Sequence, residues 1–364
     1  MKKTDTFFRA VCRLAVPAAL QSMLQSSFSM VDQIMIGQLG ATCVAGVGLA
    51  GKFASMYSVV IAAVGAAAGI MLSQYLGQKN GTEVRRSFFQ NLLLGLGVAG
   101  LFTALCALLP EPVMRVYTKD AATRQVAAAY LALISGTFLP MACSTLLSTA
   151  FRCAEKARLP LYAGIASAVL NTGLNDILIF GRLGLPAMGA SGAAIATVIA
   201  QCVNFLLLLL ASKQLTFLRT KEALRAAGRM HWRRYLSVLL PLLLCEASWS
   251  LGENVYAAIY GRMGTAESAA MTLTAPIQGL VIGALCGLSQ AAGVMVGKRL
   301  GGEDYDGAYR AAKRLMVYGV VGAAVLCTVV VLTNGAYVEI YQVDRAVTLL
   351  TRQILLVYAL AAPF

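Results

Sequence analysis

Long apolar runs fill most of this sequence, at roughly residues 10–36, 43–76, 88–110, 125–151, 159–180, 188–212, 233–260, 266–297, 313–333 and 347–364. Each approaches or exceeds the length, about 20 residues, at which a helix crosses the hydrocarbon of a bilayer. A segment in hydrocarbon must satisfy its own backbone hydrogen bonds, and a helix does so within one segment. A chain that is 59% hydrophobic and 13% charged exceeds the apolar content of ordinary soluble domains, about 45–50%. The ten runs therefore predict an all-α polytopic membrane protein.

The formal net charge of +14 would suit a nucleic-acid partner, but the basic residues gather in alternate connections. Lys2, Lys3, Arg9 and Arg13 come first, then Lys79, Arg85 and Arg86, then Arg152, Lys156 and Arg158. Further groups run from Lys213 to Arg234 and from Lys298 to Arg314. This is the positive-inside pattern, which predicts a multi-pass protein of the cell membrane with a cytoplasmic N-terminus and no nucleic-acid partner. The nine cysteines are scattered about one per run without a C-x-x-C pair, so they read as small buried residues rather than metal ligands or disulfides. The first run carries Pro17, Gln21, Gln25 and Asp32 and lacks a small-residue cleavage site. It is expected to be a retained first helix and not a signal peptide.

The sequence also repeats. Pro17 returns as Pro241, Gly37-Gln38-Leu39-Gly40 as Gly261-Arg262-Met263-Gly264, and Gly69-Ile70-Met71 with Leu76-Gly77 as Gly293-Val294-Met295 with Leu300-Gly301. Matches that fall on turn glycines and a kinking proline mark a duplicated unit. Six runs separate the two prolines, an even number, so the copies face the same way and form two parallel six-helix repeats. The expected organisation is a first six-helix lobe over 1–212, a cytoplasmic linker over 213–232 containing His231, and over 233–364 the first four helices of a second lobe. About ten helices are thus present. Residue 364 corresponds to about residue 140 of the first copy and falls mid-span, where a free helix end would leave carbonyls unpaired at several kcal/mol each. Either two further helices lie beyond it, the reading that the mid-span position favours, or the product stops there.

An acid inside a span costs about 2.5–3.5 kcal/mol and so has a task by default. Asp32 is the clearest case. Gln21, Gln25, Phe28 and Asp32 are spaced to share one helix face, which is expected to line an aqueous cavity. The plainer alternative is a carboxylate one turn below Gly37 that reaches interfacial water. Glu246, five residues after Pro241, lies deeper and is the first choice for a residue that binds and releases a proton, unless it serves as a helix–helix hydrogen bond. Glu253, one heptad on, shares that face nearer the outer end. Asn171 and Asn175 are i, i+4 neighbours that can present amide oxygens to a cation or hydrogen-bond Asp32. Interhelical glue, worth about 0.6 kcal/mol per bond, is the alternative. Asp176 points elsewhere. Lys52, inside the second run, either pairs with Asp32 or, as preferred here, snorkels to the interface. Gln25 and Gln278, with Trp249 and nearby Met and Phe side chains, are candidates for a cavity tolerant of varied flat cations.

Gly95-Leu96-Gly97-Val98-Ala99-Gly100 matches the dinucleotide fingerprint in letters only, because it sits in an apolar helix with no preceding strand. Like Gly65-x-x-x-Gly69 and Gly283-x-x-x-Gly287, these glycines are expected to pack helices closely. No HExxH, P-loop, GxSxG or clustered His/Cys set is present, so an enzyme is not expected.

Taken in order, Val31-Asp32 with Gly37-x-x-Gly40, Gly69 with Gln74-Tyr75-Leu76-Gly77, and Leu170-Asn171 with Asn175-Asp176-Ile177-Leu178-Ile179-Phe180-Gly181 resemble the multidrug and toxic compound extrusion (MATE) family. Gly189-x-x-Gly192-Ala193-Ala194-Ile195-Ala196-Thr197 and Glu246-x-x-Trp249 extend the resemblance over the whole chain. The resemblance implies a V-shaped, two-lobed transporter of the membrane, acting as a monomer, that exports organic cations in exchange for protons or sodium. It implies a first-lobe cation site at Asp32, Asn171 and Asn175, with sodium possible there, and a second-lobe acid at Glu246. Gln21, Gln25, Trp249 and Gln278 fall to the substrate cavity. No cofactor beyond the coupling ion is expected. Asn175 stands where some members carry an acid, and the tenth run has no acid. The rivals are a lipid-linked saccharide flippase of the same superfamily, against which the scarcity of arginines inside the lobes argues, and a non-transporting membrane scaffold or channel, against which the buried acids argue.

Overall fold

The structure, a computed structural model, describes residues 2–182, 184–215, 217, 232–263, 265–339 and 345–362. Its elements are α1 (Lys2–Gly37), α2 (Ala41–Gly77), α3 (Gly81–Leu108), α4 (Pro110–Tyr117), α5 (Ala121–Ile134), α6 (Phe138–Cys153), α7 (Arg158–Phe180) and α8 (Gly189–Ala211). There follow α9 (Trp232–Met263), α10 (Thr265–Gly301), α11 (Tyr305–Glu339) and α12 (Arg345–Ala361). Nine helical stretches among the described residues are long and apolar enough to cross a membrane. The tenth expected run appears as the shorter α12. The fold is an all-α polytopic membrane protein.

Two local departures from the expected runs have identifiable causes. The stretch 125–151 is not one helix, because a 3-10 turn at Ser135–Thr137 separates α5 from α6. There the Ser135 and Thr137 hydroxyls donate to the carbonyls of Ala132 and Ile134, offering the backbone an alternative to the α-helical ladder. Pro140, in the first turn of α6, has no N–H to give. The other departure is the short helix α4, which begins with Pro110 at its first position, where a missing N–H costs nothing.

The α2–α3 and α10–α11 connections close in the same way. In the first, the N–H groups of Gln78, Lys79 and Asn80 donate to Gln74, Leu76 and Tyr75. In the second, Gly302, Glu303 and Asp304 donate to Lys298, Leu300 and Arg299. Lys79 and Glu303 take positive φ of 55° and 60°, and Asn80 and Asp304 then cap the next helix by accepting from the N–H groups of Glu83 and Gly307. An asparagine or aspartate at this position satisfies one of the orphan donors of the helix start. Gly77 and Gly301, the last residues of the two preceding helices, are the positions paired in the sequence repeat.

Contacts divide the chain into two units, Met1–Ser26 with Ala247–Phe364, and Ser27–Glu246, called unit 1 and unit 2 below. Both boundaries fall inside helices, in α1 and α9. Most of the expected linker, including His231, lies outside the described residues, as do Gly264 and Phe364.

In unit 1, Phe7 and Val11 of α1 pack with Ala311 and Leu315 of α11, and Arg299 and Arg314 stand over the Phe7 ring at 5.7 and 5.6 Å. A Cβ on Gly287 would collide with the backbone of Ala15 and Ala19, and one on Gly283 would lie 3.4 Å from the Met23 nitrogen. This α10 pair thus brings α1 close, as its spacing predicts. In unit 2, the Tyr57 and Phe138 rings are 4.4 Å apart and the Tyr57 hydroxyl donates to the Phe138 carbonyl at 2.6 Å, fastening α2 to the start of α6. Gly65 and Gly69 admit Thr145 and Thr149 of α6. The expectation for the fingerprint-like glycines needs correction. Only Gly95 has a close neighbour, Leu146, at 3.3 Å from its would-be Cβ, whereas Gly97 and Gly100 meet nothing within 4 Å.

Candidate functional site

The α7–α8 connection sets the position of the first candidate residues. Gly181 ends α7 in the left-handed region with φ 72°, and a Cβ there would stand 2.6 Å from the Ala187 nitrogen. Only glycine accepts both constraints. The Met188 N–H reaches back to the Leu178 carbonyl at 2.9 Å, and a Cβ on Gly192 would lie 2.6 Å from that same oxygen. Two glycines therefore let α7 and α8 touch backbone to backbone, so that polar side chains one or two turns in from the connection must face each other. The last turns of α1 are fixed on this pair by apolar contact: Ile36, Ile179 and Ala193 form a buried cluster with Met35, Leu39, Val47, Tyr130 and Phe180 around it.

Above this cluster stands Asp32, half-buried. Asn175, 1% exposed, donates through Nδ2 to Asp32 Oδ1 at 2.5 Å and to Asn171 Oδ1 at 3.3 Å. Asn171 is also buried, and its Nδ2 lies 3.3 Å from the Thr197 hydroxyl of α8. Thr197 in turn donates to the Ala193 carbonyl at 2.9 Å. The Asn175 oxygen is enclosed and has no partner among the described residues.

The orientation of the Asn171 amide is tied to the state of Asp32. With its nitrogen toward Thr197, its oxygen faces the Asp32 carboxyl group, an arrangement that only a protonated carboxyl satisfies by donating. Turned through 180°, the nitrogen donates to Asp32 Oδ1 and Oδ2 at 2.9 and 3.2 Å, while the oxygen accepts from Thr197 at 3.3 Å. An ionised carboxylate selects that second arrangement, because an acceptor cannot face an acceptor at this distance without cost. The cluster thus offers a different hydrogen-bond pattern for each charge state of Asp32; the second gives up the Asn175–Asn171 bond, setting the two amide nitrogens 3.3 Å apart.

The structure brings Asp32, Asn171 and Asn175 together, and Thr197 joins them. Thr197 stands out in the sequence only within the small-residue stretch from Gly189. Glu246 is half-buried in α9 and makes no hydrogen bond or ion pair among the described residues. Gln21, Gln25, Trp249 and Gln278 all fall in unit 1. Gln25 and Trp249 are exposed, Gln21 and Gln278 half-buried, and Gln278 donates to Thr274 at 3.2 Å. The Lys52–Asp32 pair is not formed: Lys52 is exposed, and ion pairs form at Arg86–Glu83 and Arg182–Asp176. The second of these accounts for Asp176, which turns away from the cluster to meet Arg182 at 3.0 Å.

The MatE family model matches residues 17–177 and 241–364. The chain belongs to the MatE family. Both matched segments carry candidate residues, Asp32, Asn171 and Asn175 in the first and Glu246 in the second. Among curated relatives, the "Probable multidrug resistance protein NorM" of Agrobacterium fabrum is 28% identical over 88% of this chain and 69% of its own length. The protein of the same name in Rhizobium meliloti is 28% identical over 94% of this chain and 74% of its own length. Among solved structures, the Vibrio cholerae MATE transporter VcmN in the bent form superposes with a TM-score of 0.86 at 18% identity, covering all of this chain (100%) and 82% of that one. A likeness at that identity establishes the MatE fold.

Proposed function

We propose that this MatE protein is a secondary active multidrug exporter of the cell membrane, acting as a monomer with its N-terminus in the cytoplasm, that moves organic cations out in exchange for protons or sodium. The observation that carries the reading is the Asp32–Asn175–Asn171 cluster: a carboxylate inside a span beside two buried amides, with a distinct hydrogen-bond pattern available for each charge state. Coupling requires a group whose charge state changes the free energy of one conformation relative to another. Here protonation of Asp32 turns the Asn171 amide and moves the Thr197 hydroxyl proton between Asn171 and the Ala193 carbonyl, so the event on α1 is passed to α7 and α8. Sodium is the alternative occupant. It would draw on the Asp32 carboxylate and the oxygens of Asn171 and Asn175, a hard oxygen set that suits a hard cation.

Glu246 supplies a second acid, and Gln21, Gln25, Trp249 and Gln278 supply amide and aromatic contacts for flat cations. Transport follows by alternating access of two lobes. Ethidium accumulation in cells lacking their own multidrug pumps tests the reading. The wild-type chain should lower accumulation relative to an empty vector, only while an ion gradient is present, and Asp32→Asn should behave as the empty vector. Equal accumulation in all three, with the protein shown in the membrane, would refute it.

A further inference from the structure

Unit 2 contains a second set of buried polar side chains that the Asp32 cluster does not use, and they lead away from it. One turn along α8 from Thr197 is Gln201, whose Nε2 donates across to the Ser144 hydroxyl of α6 at 2.9 Å. Ser144, Ser148 and Arg152 recur every four residues, so they share one face of α6 and step along it by about 6 Å each. They descend toward the end of unit 2 that carries Arg85, Arg86 and Lys156. Ser144 and Ser148 are 3% and 6% exposed, and Thr149 accepts from Arg152 Nη2 at 3.0 Å.

On α3, Ser87, Gln90 and Asn91 are 3%, 2% and 0% exposed, and their i, i+3, i+4 spacing places them on one face. One turn further on, Gly95 lies against Ile61 of α2 and against Ala142 and Leu146 of α6. The polar face therefore points between α2 and α6, near Gly65 and Gly69, against which Thr145 and Thr149 pack. Asn91 Nδ2 donates to the Ser87 carbonyl, yet Ser87 Oγ, Gln90 Nε2 and Asn91 Oδ1 are enclosed without a partner among the described residues. Each such atom costs about 1–3 kcal/mol if left dry. A hydroxyl, an amide donor and an amide acceptor grouped on one face are the partners a buried water needs.

We infer that ordered water occupies the interior of unit 2 between α2, α3 and α6, and that with the Gln201–Ser144 bridge it forms a hydrogen-bonded route by which the proton of Asp32 leaves toward the basic end, cytoplasmic by the positive-inside pattern. The inference rests on the reading of Asp32 as the coupling acid. In the step, the Asp32 O–H bond breaks, the proton passes from water to water and joins bulk water, and the carboxylate stays behind. The amides hold the waters and do not carry the proton. Thr197 donates to Ala193 and Gln201 to Ser144, so the ladder is broken between these two residues, one turn apart, and a water must bridge them.

Two measurements on the full chain test this. X-ray hydroxyl-radical footprinting labels side chains beside bound water: Cys153, 1% exposed, and Phe88, 3% exposed, should be oxidised well above Cys106, which is 0% exposed. Labelling of Cys153 and Phe88 no higher than that of Cys106 would overturn the proposal without recourse to any variant. In proteoliposomes with a trapped pH dye, Gln201→Leu and Asn91→Leu should slow ethidium-coupled proton flux at least tenfold, with ethidium binding unchanged. Wild-type flux in both variants would also overturn it. Asp32→Asn run in parallel separates the two ideas. If Asp32→Asn abolishes coupling while Gln201→Leu runs at the wild-type rate, the route alone fails. If Asp32→Asn keeps its coupling, the reading of Asp32 fails and takes the route with it.

Discussion

Asp32 and Glu246 pose the same problem in the sequence, a carboxyl group inside an apolar run, and they meet different surroundings in the structure. Asp32 is held by Asn175, lies within reach of Asn171, and belongs to a network that ends on the α8 backbone. Glu246 is half-buried on α9 without a hydrogen bond or ion pair among the described residues. An intramembrane acid is thus only half of an argument for a site. The other half is whether neighbouring helices have been brought close enough to answer its charge. For Asp32 two glycines do this, Gly181 by its left-handed turn and Gly192 by admitting the Leu178 carbonyl.

The contrast can be broken at several points. The largest effect is expected from Asp32→Asn, which removes the ionisable group and should lower gradient-driven ethidium efflux about 100-fold or more, equivalent to ~2.7 kcal/mol. Next comes Gly192→Ala. Its new methyl has no space beside the Leu178 carbonyl, and overpacking of this kind costs about 1–3 kcal/mol, readable as a lowered melting temperature of the purified protein. Asn175→Ala takes one hydrogen bond from the carboxylate, a loss of about 1.5–3 kcal/mol for a charged partner at most; because that bond favours the ionised form, proton competition should strengthen roughly tenfold, whereas sodium, deprived of an amide oxygen, should compete more weakly. Glu246→Gln should change efflux by less than about threefold, under ~0.7 kcal/mol, and a loss as deep as that of Asp32→Asn would erase the distinction drawn here. The smallest effect belongs to Asp176→Asn, which breaks an exposed ion pair with Arg182 worth about 0–1 kcal/mol. Its melting temperature and efflux should match wild type.

Much of the fold was legible because the bilayer leaves so few choices: the ten apolar runs each contain helix, and Gly283 and Gly287 make the close approach that their spacing predicts. The break at Ser135–Thr137 was not legible, since a single 3-10 turn inside an apolar run barely alters its periodicity. Gly97 and Gly100 misled for a related reason. Spacing says which glycines share a face but not whether another helix stands opposite. Within the site, Asn171 and Asn175 could be read as a pair because one helix turn joins them. Thr197 lies on a different helix, and its partnership with Asn171 exists only because Gly181 and Gly192 fold α8 back against α7. The two orientations of the Asn171 amide depend on distances to Asp32 that no sequence pattern carries.

The decisive measurement is the affinity of the purified full chain for ethidium as a function of pH and of sodium concentration, in the wild type and in Asp32→Asn. If the coupling ion competes at the Asp32 cluster, wild-type affinity falls as protons or sodium ions are added, and Asp32→Asn binds ethidium with an affinity indifferent to both. An Asp32→Asn protein that keeps the wild-type dependence would place the coupling ion elsewhere and contradict the account.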